Sequence, residues 1–367
     1  MPRTIVSGRL SPAALPIGLS VSRLLSVKYA AQRLPVSVLI SARVCSFAVE
    51  TKSSVDYVVE KEKKKILACP ICYNSLAALI SQPHESAEYP ASGTHLQCKY
   101  CKKSYSANET HLDLTVASGT KQYTEPLPLS IELYRNPLVS FLYERGWRQN
   151  FMWGGFPGPE KEFEMAGEYL KHVLGGNIID ASCGSGLFSR LFAKSEHFAM
   201  VYALDYSENM LRQCYEFLKQ EANLIDKKIV VLARADIARL PFLSGSVDAV
   251  HAGAALHCWP SPSSAVAEIS RVLRPGGVFV ATTFIYDGLF RFVPFLKELR
   301  QEIMRYSGSH MFLSERELED LCKSCGLVGF TCVRNGLFIM LSATKPTSCW
   351  CLKQVLYFKF QRLKEFS

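Results

Sequence analysis

Five apolar runs, separated by stretches of helical periodicity, organise the middle of the chain. The runs are six to eight residues long and rich in Val, Ile, Ala and Leu. Runs of this length, bounded by polar or glycine-containing turns, are typical of strands that are buried on both faces. Their alternation with helical patterns predicts a parallel, doubly wound sheet of the α/β class. We place the five strands at 177–183, 200–205, 229–236, 247–254 and 277–284.

Polar residues mark where the helices of this region begin. Ser207 precedes a helix predicted over 208–220, and a serine is a preferred N-cap because its hydroxyl accepts a backbone N–H. Ser314 and Glu317 form a capping-box pattern that opens another helix. Beyond it, Asn335-Gly336 separates two further apolar runs, which predicts a terminal β-hairpin.

The first 50 residues differ in composition from the rest. They contain eight serines and six basic residues, with Glu50 as the single acidic residue. Ser- and Arg-rich, acid-poor N-termini are typical of organelle transit peptides, and we predict one over 1–50. A disordered basic tail is the alternative, and composition does not separate a chloroplast from a mitochondrial presequence. No run approaches the roughly 18 apolar residues that a membrane span requires.

The rest of the chain, residues 51–367, varies in charge and aromatic content from one region to the next. The formal charge of +9 is concentrated near the two ends, and residues 51–345 are close to neutral, which gives no support for an extended phosphate-binding surface. Residues 116–160, the connector, carry an aromatic, glycine-rich stretch that could line a substrate entrance or serve as a packing strap. Residues 346–367, the tail, could form a basic amphipathic helix for a membrane surface or be an extension without function. We predict a linker over 51–65, a first folded unit over 66–115, the connector over 116–160, the α/β domain over 161–345 and the tail over 346–367.

Four of the thirteen cysteines occur as closely spaced pairs. Cys69 and Cys72 form one C-x-x-C pair, and Cys98 and Cys101 form the second, with 25 residues between the pairs. Two such pairs are typical of a structural zinc site, because four thiolates fill the tetrahedral coordination sphere. The spacing therefore predicts a small zinc-ribbon-like unit over 66–115. Four buried free thiols are the alternative.

The first strand of the α/β region runs into the segment Asp180-Ala-Ser-Cys-Gly-Ser-Gly186. Gly184 and Gly186 allow a sharp turn and the close approach of a ligand, because they carry no Cβ. A strand, a glycine turn and a helix in succession indicate a nucleotide site. However, Ser189 occupies the position of the third glycine of a dinucleotide fingerprint. The carboxylate of Asp180 would also repel a pyrophosphate, and it suits a ligand with a cationic amine.

Two further carboxylates follow at the ends of predicted strands. Asp205 ends the second strand, nineteen residues after Gly186, where an acid can accept both hydroxyls of a ribose. Asp236 ends the third strand and is placed to accept from an adenine amino group. Open α/β sheets bind ligands at the carboxyl ends of their strands. Together with Asp180, these residues indicate S-adenosylmethionine, which has a ribose, an adenine and a cationic amine but no phosphate.

Residues 69–345 resemble a family of plant chloroplast methyltransferases that use S-adenosylmethionine and are related to the ubiquinone and menaquinone methyltransferases. The resemblance implies a seven-stranded class I methyltransferase sheet, Rossmann-like, with a reversed last strand. It also implies a chloroplast location, at plastoglobules, and hence peripheral association with plastid lipid bodies. The tail after Pro346 departs from the family's usual end. The motifs that carry the resemblance are Asp180–Gly186, Ala203–Met210, Arg234–Phe242, Ala254–Trp259 and Arg271–Gly277.

The matching positions define an expected cofactor site. The resemblance implies that the cofactor contacts Asp180, Ser182, Gly184, Gly186, Asp205, Tyr206, Met210, Asp236 and Ile237. The cysteine pairs in front of such a domain are also similar to those of bacterial rRNA guanine-N1 methyltransferases, although the ligand spacing there is tighter and ends in histidine.

The methyl acceptor is less well defined. His257, after the fourth strand, is the best-placed general base if the acceptor is a hydroxyl or an acidic carbon; a positioning or packing histidine is the alternative. The aromatic segment Phe284–Phe295 predicts a lid over an apolar pocket. We therefore predict methyl transfer to a small apolar plastid metabolite of quinone, phenolic or prenyl-lipid type. The alternatives are an RNA methyltransferase that grips RNA with its zinc ribbon, which the near-neutral body disfavours, and a non-catalytic cofactor-binding scaffold.

Overall fold

The computed structural model describes residues 66–79, 95–120, 136, 148–221, 224, 229–285 and 312–347. All of them belong to one compact unit, Ser54–Ser367. The predicted transit peptide, the linker, most of the connector, the lid after Ile285 and the tail after Thr347 lie outside the described residues. Within those residues, no helix has the length and apolar character needed to cross a bilayer.

The described strands form two sheets. A small antiparallel sheet contains β1 (Leu76–Leu79), β2 (His95–Cys98) and β3 (Ser104–Ser106). The large sheet contains β4 (Leu112–Asp113), β5 (Asn177–Ala181), β6 (Met200–Asp205), β7 (Val230–Arg234), β8 (Val247–Ala252), β9 (Leu273–Phe284), β10 (Val328–Asn335) and β11 (Phe338–Thr344). The helices of this part of the chain are α1 (Pro159–Leu170), α2 (Leu187–Ser195), α3 (Glu208–Gln220), α4 (Pro262–Val272) and α5 (Glu315–Ser324).

The large sheet has the strand order β10-β11-β9-β8-β5-β6-β7-β4. The strands from β5 to β9 pair in parallel, whereas β11 runs antiparallel to both of its neighbours. The seven strands β5 to β11 therefore confirm the class I methyltransferase sheet, including the reversed last strand. Asn335 pairs with Phe338 across a two-residue turn, as the hairpin signal predicted.

An eighth strand enters the sheet from the segment of the cysteine pairs. Leu112 pairs with Ala233 and Asp113 with Arg234, so β4 extends the sheet beyond β7. The residues 66–115 were expected to form a separate unit in front of the sheet, yet they provide one of its edge strands. A strand of two residues shows no measurable periodicity, so the hydrophobic pattern does not reveal it.

The strand order reverses at β5. The chain passes from β5 to β6 and β7 on one side and then continues with β8 and β9 on the other. In open α/β sheets, ligands bind in the crevice outside the carboxyl ends of the strands at such a point. Asp180 lies opposite Ala203 of β6 and His251 of β8, so it marks this crevice from the central strand.

Candidate active site

The turn after β5 combines three residues with left-handed backbone conformation. Ser182, Gly184 and Gly186 have φ angles of 58°, 56° and 81°. The backbone N–H of Gly184 donates to Asp205 Oδ2 at 2.9 Å, and Ser182 Oγ accepts from Trp259 Nε1 at 2.9 Å. The turn is therefore held from β6 on one side and from the segment after β8 on the other.

The carboxylate of Asp180 forms its hydrogen bonds with side chains in the protein core. Its carboxylate accepts from Ser189 Oγ at 2.6 Å and faces His251 Nδ1 at 3.0 Å, and only 1% of the residue is exposed. Because a carboxylate faces Nδ1, that nitrogen carries a proton and donates. Both oxygens thus have partners within the core. These two bonds position the glycine turn, and because each oxygen has a second lone-pair site, the contact with a cationic amine stays a prediction.

Gly186 has an internal reason to be glycine. A Cβ at this position would overlap with the thiol of Cys214 on α3, and φ is 81°, which side chains rarely adopt. Sequence analysis attributed this glycine to the close approach of a ligand. The nearest obstacle is instead the helix behind the turn.

Asp205 lies at the carboxyl end of β6 and accepts two backbone hydrogen bonds. Oδ2 accepts from the N–H of Gly184 at 2.9 Å, and Oδ1 accepts from the N–H of Ser207 at 2.8 Å. Burial raises the pKa of Asp205 to about 6, although both backbone donors oppose the shift. Each carboxylate oxygen has two lone-pair sites, so further hydroxyl donors can still bind.

Tyr206, which follows Asp205, is anchored by an arginine of the neighbouring strand. Arg234 Nε donates to the carbonyl oxygen of Tyr206 at 3.1 Å, and the guanidinium carbon lies 5.1 Å from the centre of the tyrosine ring. Arg234 also pairs with Glu208 at 2.9 Å. Met210 lies one turn into α3, is 3% exposed, and donates its N–H to the predicted cap Ser207 at 3.4 Å.

Asp236 and Ile237 form the turn that follows β7. Asp236 Oδ1 accepts from the N–H of Ala238 at 2.8 Å and thereby caps the short 3-10 turn Ile237–Arg239. Both residues are half-buried. Asp205 and Asp236 therefore follow adjacent strands at the same edge of the sheet, which is the arrangement that the sequence predicted for the ribose and adenine ends of one ligand.

His257 lies on the 3-10 turn Leu256–Cys258 after β8 and is 4% exposed. Its Nδ1 is 3.0 Å from Thr283 Oγ1 near the end of β9. The ring stacks on Phe312 at a centroid distance of 5.7 Å and meets Phe284 edge-on at 5.3 Å. This histidine therefore sits in an aromatic wall, two residues from Trp259, whose indole holds the glycine turn.

The aromatic, glycine-rich stretch of the connector joins the same wall. Phe151 and Phe156 pack on Phe284 with centroid distances of 5.2 and 4.6 Å. Met152 and Trp153 of the same stretch are exposed, to 62% and 91%. Each interpretation therefore applies to a part of this stretch: two rings pack against the domain, and two side chains remain accessible beside them.

A family model described as "Methyltransferase domain" matches residues 179–281 of the chain. A protein from Arabidopsis thaliana, named as an uncharacterised chloroplastic methyltransferase, is 74% identical over 356 residues, which cover 95% of this chain and 100% of the relative. The chain belongs to this family of methyltransferases. A second chloroplastic relative from the same plant is 49% identical, covering 78% of this chain and 80% of the relative.

The methyltransferase is also similar to a bacterial enzyme with a named reaction. A demethylmenaquinone methyltransferase of Lactococcus lactis is 29% identical over 220 residues, covering 55% of this chain and 79% of the relative. The predicted resemblance and the dependence on S-adenosylmethionine are therefore confirmed. The names of both plant relatives support the plastid as the location.

The four paired cysteines of the methyltransferase come together. Their sulfur atoms all lie within 4.8 Å of one another; the distance is 3.6 Å from Cys69 Sγ to Cys101 Sγ and 3.3 Å from Cys72 Sγ to Cys98 Sγ. Thiolates bound to a tetrahedral zinc at ~2.3 Å would be about 3.8 Å apart. The donor set and its geometry thus fit a zinc ion.

The two cysteine pairs also share one backbone geometry. The N–H of Tyr73 donates to the carbonyl oxygen of Cys69 at 2.8 Å, and that of Lys102 donates to Cys98 at 3.0 Å. Tyr73 and Lys102 are both left-handed, with φ angles of 57° and 62°. The same turn therefore occurs twice, at the same offset from the first cysteine, and each copy directs two sulfurs to a common point.

Several residues of the site escape sequence reasoning. Ser189 and His251 hold Asp180, Trp259 holds the glycine turn, and Arg234 holds Tyr206. Ser189 was noted only as a missing glycine, and the remaining three lie on strands or turns far from their partners in sequence. Arg234 and His251 lie at or next to the carboxyl ends of β7 and β8, and this position could reveal them once the strand order is known. Ser189 on α2 and Trp259 after a 3-10 turn give no such signal.

Proposed function

We propose that this methyltransferase transfers the methyl group of S-adenosylmethionine to a small apolar plastid metabolite of quinone, phenolic or prenyl-lipid type. The observation that carries the proposal is the aromatic wall around His257 beside the glycine turn. Phe284 and Phe312 offer apolar surface to an acceptor, and the imidazole between them can exchange a proton. The similarity to a demethylmenaquinone methyltransferase supports an aromatic acceptor.

The cofactor fits the residues at the carboxyl edge of the sheet. Asp205 would accept the ribose hydroxyls, Tyr206 and Ile237 would flank the adenine, and Asp236 would accept from its amino group. The turn from Ser182 to Gly186 would lie along the methionine part, with Met210 packed behind it. Asp180 would hold the turn through Ser189 and His251. When bound, S-adenosylmethionine supplies a methyl group on a sulfonium centre, and the chain aligns the acceptor with it.

His257 would act on the acceptor. An acceptor hydroxyl or acidic carbon must lose a proton, and the imidazole can take it. Thr283, whose Oγ1 lies 3.0 Å from Nδ1, would hold the orientation of the ring. The aromatic neighbours would exclude water from the transfer. The predicted location at plastoglobules belongs to this proposal, because a prenylated acceptor would be supplied from a lipid surface.

The four cysteines would hold a structural zinc ion. The proposal rests on their four sulfurs within 4.8 Å and on the repeated turn. Four protein ligands leave no open position for a substrate, so the metal would stabilise the fold without entering the chemistry.

Incubation of the enzyme with S-adenosylmethionine labelled on the methyl group should transfer label to a plastid lipid extract. In a parallel incubation with unlabelled cofactor, we expect the acceptor to gain ~14 Da, the mass of one added methylene. His257→Ala should lower the turnover by about 10²- to 10⁴-fold, because it removes the base. Mass spectrometry of the extract provides the measurement.

The matched control for this experiment is cofactor binding. His257→Ala should bind S-adenosylhomocysteine as tightly as the parent, since the histidine lies on the acceptor side. Label that enters plastid RNA and not lipid would contradict the proposal in favour of the RNA methyltransferase. A lack of transfer to any fraction by a protein that binds the cofactor would favour the scaffold.

The affinity for the cofactor should depend on pH through Asp205. The pKa of this carboxyl is about 6 in the free protein, and ribose hydroxyls that donate to the carboxylate would lower it in the complex. Binding therefore requires the ionised form of Asp205. The affinity reaches its full value above pH 7 and falls as the pH drops through 6. We expect S-adenosylhomocysteine to bind about tenfold more weakly at pH 5 than at pH 7.

Calorimetric titrations across this range measure the effect. Asp205→Asn, which cannot ionise, should bind weakly at every pH and lose the dependence. A parent protein whose affinity is the same at pH 5 and pH 7 would show that Asp205 does not contact the ribose.

A further inference from the structure

The first cysteine turn is bonded to the segment that follows Asp236. The N–H of Ala68 donates to the carbonyl oxygen of Pro241 at 2.8 Å, and the N–H of Leu243 donates to Ile66 at 2.9 Å. In addition, Arg239 Nη1 donates to the carbonyl oxygen of Pro70, inside the Cys69–Cys72 pair, at 3.4 Å. Three hydrogen bonds thus connect one side of the cysteine unit to residues 239–243, directly after the expected adenine contacts.

A side-chain clamp supports the same segment. Arg271 of α4 donates to the carbonyl oxygens of Leu240 and Phe242, both at 2.8 Å, and Glu268 accepts from the N–H of Leu240 at 2.8 Å. The ring of Tyr73 lies on this arginine, with the guanidinium carbon 4.1 Å from its centre. Tyr73 is the left-handed residue of the first cysteine turn, so the shape of that turn decides whether the ring covers the clamp.

A second attachment reaches the ribose side of the cofactor site. β4 pairs with β7, and the N–H of Leu114 donates to the carbonyl oxygen of Arg234 at 2.9 Å. Asp113 is 3.5 Å from Arg234 Nη1. Arg234 in turn holds the carbonyl oxygen of Tyr206. Residues on both sides of the cysteine unit therefore support the two loops that would enclose the adenosine.

We infer that the four-cysteine unit positions the adenosine-binding loops of the methyltransferase, so that metal occupancy sets the affinity for S-adenosylmethionine. The inference rests on the proposed cofactor and zinc sites. The small sheet of this unit has three strands of three or four residues, and a unit of this size draws much of its stability from a bound metal. Without the metal, the left-handed turn at Tyr73 loses its support, and the hydrogen bonds to residues 239–243 are lost with it.

The experiment compares one full-length protein in three states: as purified, after removal of metal by a chelator, and after zinc is added back. Elemental analysis should find about one zinc per chain in the first and third states. S-adenosylhomocysteine titrated by calorimetry should bind about tenfold more weakly in the second state and regain its affinity in the third. In the metal-free protein, hydrogen exchange should increase at the amides of Ala68 and Leu243, which donate the connecting bonds, and much less in β5.

A second variant keeps the inference testable if the metal-free protein unfolds. Tyr73→Ala leaves all four ligands in place but uncovers Arg271, and it should weaken S-adenosylhomocysteine binding about threefold with zinc still bound. Tyr100→Ala is the matched control, because Tyr100 lies in the second pair, is 76% exposed and should leave the affinity unchanged.

Each outcome has a definite meaning. Equal affinities of the zinc-loaded and metal-free proteins, or of Tyr73→Ala and the parent, would overturn the inference while the proposed function stands. A protein that neither contains nor takes up zinc would also overturn it. If the zinc-loaded parent fails to bind S-adenosylhomocysteine at all, the proposed cofactor site itself is wrong, and the result is distinguishable because zinc is then present without affinity.

Discussion

Replacement of Asp180 by alanine should lower the free energy of unfolding by about 3 kcal/mol. The carboxylate is 1% exposed and bonds to Ser189 and His251, and the histidine is fully buried between Phe188 and Phe192. Among the described residues, Nε2 of His251 has no hydrogen-bond partner. Removal of the carboxylate therefore leaves an imidazole in the core with no acceptor for its N–H. Chemical denaturation of the parent and the variant measures the loss.

A double-mutant cycle separates this effect from a general loss of packing. Asp180→Ala combined with His251→Leu should cost about 1.5–3 kcal/mol less than the sum of the single variants, because the stranded donor is gone. Asp236→Ala is the matched control, since Asp236 also follows a strand at this edge but only caps a short turn; it should cost about 1 kcal/mol. If Asp180→Ala keeps its stability and loses about 100-fold in S-adenosylhomocysteine affinity, the direct contact with the amine is correct.

Local signals predicted the elements of the fold well. Ser207 caps α3, and Ser314 with Glu317 forms the complete capping box of α5, because a cap depends only on residues within one turn. The boundaries differ where distant pairing decides them. β9 begins at Leu273, four residues before the predicted start, because Leu273 pairs with Val247 across the sheet. The apolar run 277–284, on which the predicted start rests, cannot reveal that partner.

The site shows the same division between local and distant causes. The position of Asp205 and Asp236 at strand ends follows from the hydrophobic pattern, and the paired cysteines follow from their spacing. The bond between Asp180 and His251 joins residues 71 positions apart, and it depends on β5 and β8 being neighbours. Pattern and composition contain no information on this adjacency. They therefore assigned the carboxylate to the ligand and gave no sign of its two partners in the core.

Gly186→Ala should lower the free energy of unfolding by about 3–4 kcal/mol, through two separable causes. A side chain at a left-handed position costs about 1–2 kcal/mol, and overlap of the new Cβ with Cys214 adds about 1–3 kcal/mol. Gly175→Ala isolates the first cause, because Gly175 has the same φ of 81° and a methyl group added there would meet no atom within 4 Å among the described residues. The difference between the two variants, measured by chemical denaturation, gives the cost of the overlap.

Cys214→Ala tests whether the helix behind the turn is the obstacle. The double variant Gly186→Ala, Cys214→Ala should recover about 1–2 kcal/mol relative to the sum of the single variants, because the shortened side chain makes room for the new methyl group. If Gly186→Ala and Gly175→Ala lower the free energy of unfolding equally, then α3 moves aside for the new methyl group without a measurable cost. If the double variant regains stability but not affinity for S-adenosylhomocysteine, then Gly186 serves two neighbours: α3 behind the turn and the cofactor in front of it. A double variant that regains both would mean that glycine is required here by the interior of the protein, and that the ligand merely uses the turn that this packing creates.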